Sequence, residues 1–404
     1  EFTRRCEKEY QSHPENVLIR NTVVNAGTFI TSMDANENRK VTHIFGNTIK
    51  REHVKATNQG QSGRCWLFAA LNVFRHNVIQ GLEMKNFEFS QTHLYFWDKF
   101  ERSNMFLQYF VDHDELPGDR LTDFIIGTCA EDGGYWQFFV NLVEKYGLVP
   151  SDAMPETYCS DYSAPINDAL KFRLMSCACV LQKAHQDGKS EAYRLQLKAA
   201  TLEQVYSILV KFLGEPPKKF EWRFETENGP RMVKGTPVKF KDMCIGQVNL
   251  RDFVVLSDIP CIAYGERYQV PLLTNVHGSE DFSMLNLPIA DLKEVAKKSI
   301  LQGCPVWFGA DMNGFNPYRA TFDAKLNQED LLLGKFKQLT KGEQIQYQSL
   351  KSEHAMSFVG VNLDSAGKPT EWQVENSWGY ENHDEVGLDG FLSAKDAWFE
   401  SNVI

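Results

Sequence analysis

The chain has 404 residues, 43% hydrophobic and 24% charged, enough for one large composite domain or two to three smaller ones. A formal net charge of −10 argues against general affinity for nucleic-acid backbones, and no apolar run reaches the roughly 20 residues that cross a bilayer. Nine scattered cysteines, with no C-x-x-C and only Cys177 and Cys179 close together, suggest neither a disulfide framework nor a zinc site and fit a reducing, cytoplasmic setting.

The chain starts at Glu1 with no visible cationic-then-apolar leader, and residues 1–50 mix helical and short extended patterns. KATNQGQSG (55–63) has loop chemistry, with Gly60 and Gly63 permitting unusual backbone angles. From Cys65 the pattern turns helical, with Leu67, Ala70, Leu71, Phe74 and Val78 on one face and Ser62 as the expected N-cap. Residues 90–111 predict one or two aromatic-rich helices. Residues 131–150 predict a Gly-Gly loop, an amphipathic helix and a stop at Gly147 and Pro150. Residues 165–213 are mostly helical, with Cys177 and Cys179 as helix core, and GEPPKKFEW (214–222) breaks the pattern. Short strands and loops are expected over 235–290, a helix over 287–303, and then the strand-like PVWFGAD. The final part has two strand signals, HAMSFVGVNLD and EWQVENSWG, joined by DSAGKPT (364–370), and AWFESNVI reads as the start of another strand.

NQGQSGRCW (58–66) raises the question of chemistry. A lone cysteine before tryptophan is ordinarily core. A catalytic thiol needs a lowered pKa, and a helix N-terminus and a nearby imidazolium both favour the thiolate. It also needs a histidine, a group that orients it and oxyanion donors. Among ten histidines, His354 has the best context, because it opens a buried-strand pattern. Asn376 follows it by 22 residues, on the partner strand of the expected hairpin. Its amide oxygen is placed to accept the imidazole N–H, with Trp378 covering that bond. Gln59 precedes Cys65 by six residues, and its side-chain N–H and the Cys65 backbone N–H are candidate oxyanion donors.

These motifs resemble the papain superfamily of cysteine peptidases, and within it the bleomycin hydrolase family of aminopeptidases. The papain-type pattern appears as Gln59, Cys65-Trp66, His354-Ala355 and Asn376-Ser377-Trp378-Gly379. SGRCWLFAALN and QVENSWG match the narrower family, with Gln373 where arginine is usual; FSQTHLYFWDK, EDGGYWQFFVNLVEKYGLVP and GCPVWFGAD extend the match over nearly the whole chain. His354 lies 289 residues after Cys65, against roughly 130–150 in papain-type enzymes. A large insertion is therefore expected.

The resemblance implies an α+β, papain-like two-lobe fold with a helical left lobe, an antiparallel β-barrel-like right lobe and a large, mostly helical insertion. The expected organisation is an N-terminal segment (1–54), the left lobe with the nucleophile helix (55–164), an inserted helical subdomain for oligomerisation (165–270) and the right lobe bearing the histidine and asparagine (271–404). It also implies a homohexamer, peptide substrates with a free N-terminus, and Gly133 and Gly134 of EDGG as substrate-binding positions. No metal or organic cofactor is expected. Family members end in a tail that receives the substrate's amino group. The chain stops at AWFESNVI, short of that tail, so endopeptidase activity is the expected alternative. Acyl transfer or thioester hydrolysis on the same fold, a hexameric nucleic-acid-binding scaffold and an inactive truncated product are the remaining alternatives.

Overall fold

A long buried helix laid against an open sheet forms the frame of this protein. The computed structural model describes residues 1–50, 54–246, 248–380 and 389–404. The helices that matter for the site are α1 (Cys65–Gly81), α2 (Gln91–Asp112), α3 (Trp136–Tyr146), α4 (Ala164–Gln186), α5 (Glu191–Leu213), α6 (Ile289–Leu301) and α7 (Asp396–Asn402). The strands are β1 (Asn47–Thr48), β2 (Val306–Ala310), β3 (Phe315–Asn316), β4 (Thr321–Phe322), β5 (His354–Leu363), β6 (Pro369–Glu375) and β7 (Phe391–Lys395). Their order in the sheet is β1-β5-β6-β7-β4-β3, with β2 on the same edge of β5 as β1. The β7–β4 pair is parallel and the others are antiparallel.

The expected β-barrel-like lobe is corrected here. Among the described residues the sheet is open, ending in the two-residue strands β1 and β3, and does not close on itself. The β5–β6 hairpin forms as expected. Asp364 accepts backbone hydrogen bonds from Ala366 and Lys368, and Gly367 takes a positive φ of 77° to close the turn.

The sheet separates two apolar cores. On one face, Ala355 and Val359 of β5 pack with α1, α2 and α3. On the other, Met356, Phe358 and Val361 pack with α6 and α7. A bulge between Phe358 and Gly360 shifts the two-residue alternation, which puts Val361 rather than Gly360 in the second core. Ile166, Leu170, Leu174, Val205 and Leu209 of α4 and α5 join the first core.

Five local expectations change. Helix α1 is buried on nearly every side, because the sheet covers one face and α2 and α3 cover others. Its N-cap is Arg64, without a side-chain cap; the Ser62 hydroxyl instead donates to the Gln59 carbonyl. Pro237–Ile245 is a helix inside the region read as strands and loops, capped by Thr236 and started by proline. The final segment read as a strand is helix α7. Of the Cys177–Cys179 pair, only Cys177 enters the core, beside Thr201, and Cys179 is exposed. Among the described residues, no helix is long and apolar enough to cross a membrane.

Candidate active site

Two loops and two strand ends build the site. The first loop, 55–64, leads into α1 and delivers Cys65 as the first helical residue. It is fixed to the NSWG turn by the Gln59 N–H donating to the Ser377 carbonyl at 2.8 Å and the Gly379 N–H donating to the Thr57 carbonyl at 2.9 Å. Gly63 is required by close approach, since a Cβ there would lie 2.8 Å from Cβ of Asp132. The first N–H groups of a helix lack intrahelical acceptors, so the Cys65 N–H is available to a ligand.

Cys65 and His354 line one cavity of about 360 Å3, together with Gly133, Gly134 and Ala355. His354 opens β5, paired with Ala310 of β2, and Asn376 follows the last residue of β6. His354 Nε2 lies 2.8 Å from Asn376 Oδ1, which also accepts the Ser377 N–H at 2.8 Å. A flipped amide would set a donor against the Ser377 N–H, so the oxygen faces the ring and Nε2 bears the hydrogen. Nδ1 is then the basic nitrogen. The Trp378 ring lies 5.1 Å from the imidazole, tilted by 31°, and shields it.

Burial pushes the Cys65 thiol up; the neighbouring Ala355, Trp66 and Cys65 N–H groups act against that. Burial pushes the His354 imidazole down, opposed by the hydrogen bond to Asn376. Both shifts favour the neutral thiol and neutral imidazole. Moving the proton from one to the other leaves the net charge of the cavity unchanged.

Gln59 is 7% exposed and lies within the loop that leads into α1, outside the cavity wall. Its Oε1 accepts from the Ser377 hydroxyl at 2.6 Å, and its Nε2 donates to the Ser62 carbonyl at 2.5 Å. An amide nitrogen has two hydrogens, so a second donor remains. The two glycines of EDGG differ. A Cβ on Gly134 would lie 2.5–2.9 Å from the Trp66 ring, whereas one on Gly133 would meet nothing within 4 Å. Gly134 packs against Trp66 and Gly133 faces open space, and both line the cavity.

Several residues of the site had no signal in local pattern. Asp132 is a buried hub. It pairs with Lys99 at 2.7 Å and accepts from Ser163 at 2.5 Å, Asn167 at 2.8 Å, Tyr95 at 2.9 Å and the Gly63 N–H at 3.1 Å. Burial alone would raise its pKa, but the Lys99 ammonium and these donors outweigh that and hold the carboxyl well below the usual range. Lys99 also donates to the Ala130 and Glu131 carbonyls, so one buried ammonium shapes the EDGG loop. Arg102 donates to the Gly133 carbonyl and pairs with Asp98 at 2.8 Å. That last pair is spaced i, i+4 on α2 and was open to a charge-pattern reading. Arg75 and His76 reach Glu375 across about 300 residues of sequence, a contact that local reading does not reach.

The profile of the Peptidase C1-like family matches residues 1–404. Aminopeptidase C of Streptococcus thermophilus is 33% identical over 417 residues, covering 99% of this chain and 90% of the relative. Bleomycin hydrolase of Homo sapiens is 32% identical over 408 residues, covering 98% and 89%. The crystal structure of PepW from Lactobacillus rhamnosis HN001 superimposes with a TM-score of 0.93 at 35% identity, covering 99% of this chain and 90% of that one.

Proposed function

The chain belongs to the Peptidase C1-like family, in its bleomycin hydrolase branch, and from that membership and the site's geometry we infer that it is a papain-like cysteine aminopeptidase. One observation supports the reading most strongly. A cysteine at the first position of a 17-residue helix shares a cavity with a histidine whose Nε2 is held at 2.8 Å by an asparagine oxygen.

The roles follow from chemistry. The Cys65 thiol gives its proton to His354 Nδ1 as Sγ bonds to the peptide carbonyl carbon. Negative charge collects on the carbonyl oxygen, and the Cys65 N–H and the second Nε2 hydrogen of Gln59 are the donors for it. As the C–N bond breaks, the imidazolium returns the proton to the leaving amine. Water, deprotonated by His354, then attacks the thioester, releases the acid and restores the thiol. Asn376 keeps Nδ1 as the base by fixing the hydrogen on Nε2, and Gly133 gives the substrate backbone an unobstructed edge.

The wider organisation is part of the same proposal. In it, residues 1–54 are an N-terminal segment whose first helix, Phe2–Gln11, buries no residue, 55–164 and 271–404 form the two lobes, and 165–270 is the insertion that supports a cytoplasmic homohexamer. Light scattering on the purified protein tests the assembly, with six chains per particle expected.

A matched pair of fluorogenic peptides, one with a free N-terminus and one acetylated, tests the activity. Cleavage of the free peptide alone, abolished by Cys65→Ala, is the expected result. Cleavage of both indicates an endopeptidase, and cleavage retained in Cys65→Ala contradicts the assignment.

A further inference from the structure

We propose that Glu375, held by Arg75 and His76, is a positioning residue of this reaction, setting the strand that presents Asn376 against the helix that presents Cys65. The proposal rests on the peptidase reading above.

Arg75 and His76 lie on α1, the helix that begins at Cys65, and Glu375 is the last residue of β6, one peptide before Asn376. Arg75 Nη1 lies 3.0 Å from Glu375 Oε1, and His76 Nε2 lies 2.8 Å from Oε2. The three side chains are 2%, 3% and 0% exposed. Both carboxylate oxygens are thus engaged, each by a different residue of the same helix. The other Arg75 donors reach the Phe87 carbonyl at 2.5 Å, Asn86 Oδ1 at 2.7 Å and the Lys55 carbonyl at 2.9 Å, the last at the start of the nucleophile loop.

An apolar pair of similar volume would join helix and sheet without desolvating charges, so a buried ion pair is weak evidence of a stabilising role alone. What the carboxylate adds is direction. Trp372 and Val374 of β6 enter the second core, while Glu375 faces α1, and a one-residue slip would exchange those faces. Two other bonds tie the sheet to the helix, from Ser357 Oγ to the Ala69 carbonyl at 2.9 Å and from Trp307 Nε1 to the Trp66 carbonyl at 3.2 Å. They hold β5 and β2. Glu375 adds the tie to β6, the strand that ends at Asn376. Consecutive Cα atoms are about 3.8 Å apart, so a displaced Glu375 takes Asn376 with it. A displacement of about 1 Å in a reacting constellation costs on the order of 100-fold in rate.

The test uses Glu375→Gln, which keeps the shape and removes the charge, and His76→Gln, which leaves the Arg75–Glu375 pair intact. Rates are taken on a free-N-terminus peptide and expressed per active site, counted with a peptidyl chloromethyl ketone. The expected result for Glu375→Gln is a kcat lower by about tenfold or more, KM within about twofold, and shifted pH limbs of kcat/KM, which report the Cys65–His354 pair. His76→Gln moves the same quantities in the same direction by less. Wild-type kcat per active site and wild-type pH limbs in both variants, whatever their melting temperatures, would overturn the proposal. If Glu375→Gln does not fold, His76→Gln decides alone. A wild-type protein without Cys65-dependent cleavage would instead overturn the peptidase reading, and this role with it.

Discussion

His354 Nε2 donates to Asn376 Oδ1 at 2.8 Å, beneath a tryptophan ring 5.1 Å away, so the imidazole proposed as the base is oriented by a shielded, buried bond. Asn376→Ala removes the acceptor and lets the imidazole turn. General acid–base catalysis is worth about 100- to 10,000-fold, and part of it is lost when the base is misdirected. A fall in kcat of about 10- to 100-fold with little change in KM is expected. Steady-state kinetics on a peptide with a free N-terminus measures it.

Gly133 and Gly134 both line the cavity but differ in the room each leaves for a side chain. Gly134→Ala drives a methyl into the Trp66 ring, whose Nε1 is fixed by the Asp132 carbonyl at 2.7 Å and cannot retreat freely. Overpacking of this kind costs about 1–3 kcal/mol, read as a lower denaturant midpoint. Gly133→Ala meets nothing and leaves stability within about 0.5 kcal/mol. Its methyl projects into the space assigned to the substrate, so its effect is a raised KM.

His93 makes stability depend on pH. Burial lowers its pKa from 6.5 to about 4, and a hydrogen bond to the Tyr146 carbonyl at 3.3 Å only partly offsets this. Between those values the unfolded chain binds a proton that the folded protein does not, so stability falls as pH drops from 6.5 towards 4 and this contribution then levels off. At about 1.36 kcal/mol per pKa unit, the loss is on the order of 3 kcal/mol. Urea unfolding of wild type and His93→Gln across this range shows it, as a shallower slope in the second, where His354 and His43, also lowered by burial, still contribute.

The constellation of Cys65, His354 and Asn376 was legible because each residue sits at an element boundary that local pattern reveals. A glycine-rich loop precedes α1, a buried-strand pattern starts at His354, and DSAGKPT closes the hairpin. The N-cap was misread because Ser62 spends its hydroxyl on the Gln59 carbonyl, a preference of the loop that no spacing discloses. Pro237–Ile245 was hidden by a short, mixed sequence, although Thr236-Pro237 was a start signal. The open sheet depends on which strands meet, and β7 beside β4 is a pairing of distant segments. The supporting charges, Lys99–Asp132 and Arg75–Glu375, were illegible for the same reason.

The most direct test of the account is where a peptidyl chloromethyl ketone with a free N-terminus attaches. The protein has nine free cysteines, and a second one, Cys129, lines the same cavity. Burial pushes the Cys129 thiol up to about 11, with no histidine assigned to it. Peptide mapping by mass spectrometry is expected to find one label per chain, on Cys65, with the labelling rate reduced in His354→Ala. A label on Cys129, or one spread over several cysteines at a rate indifferent to His354→Ala, would contradict Cys65 as the nucleophile.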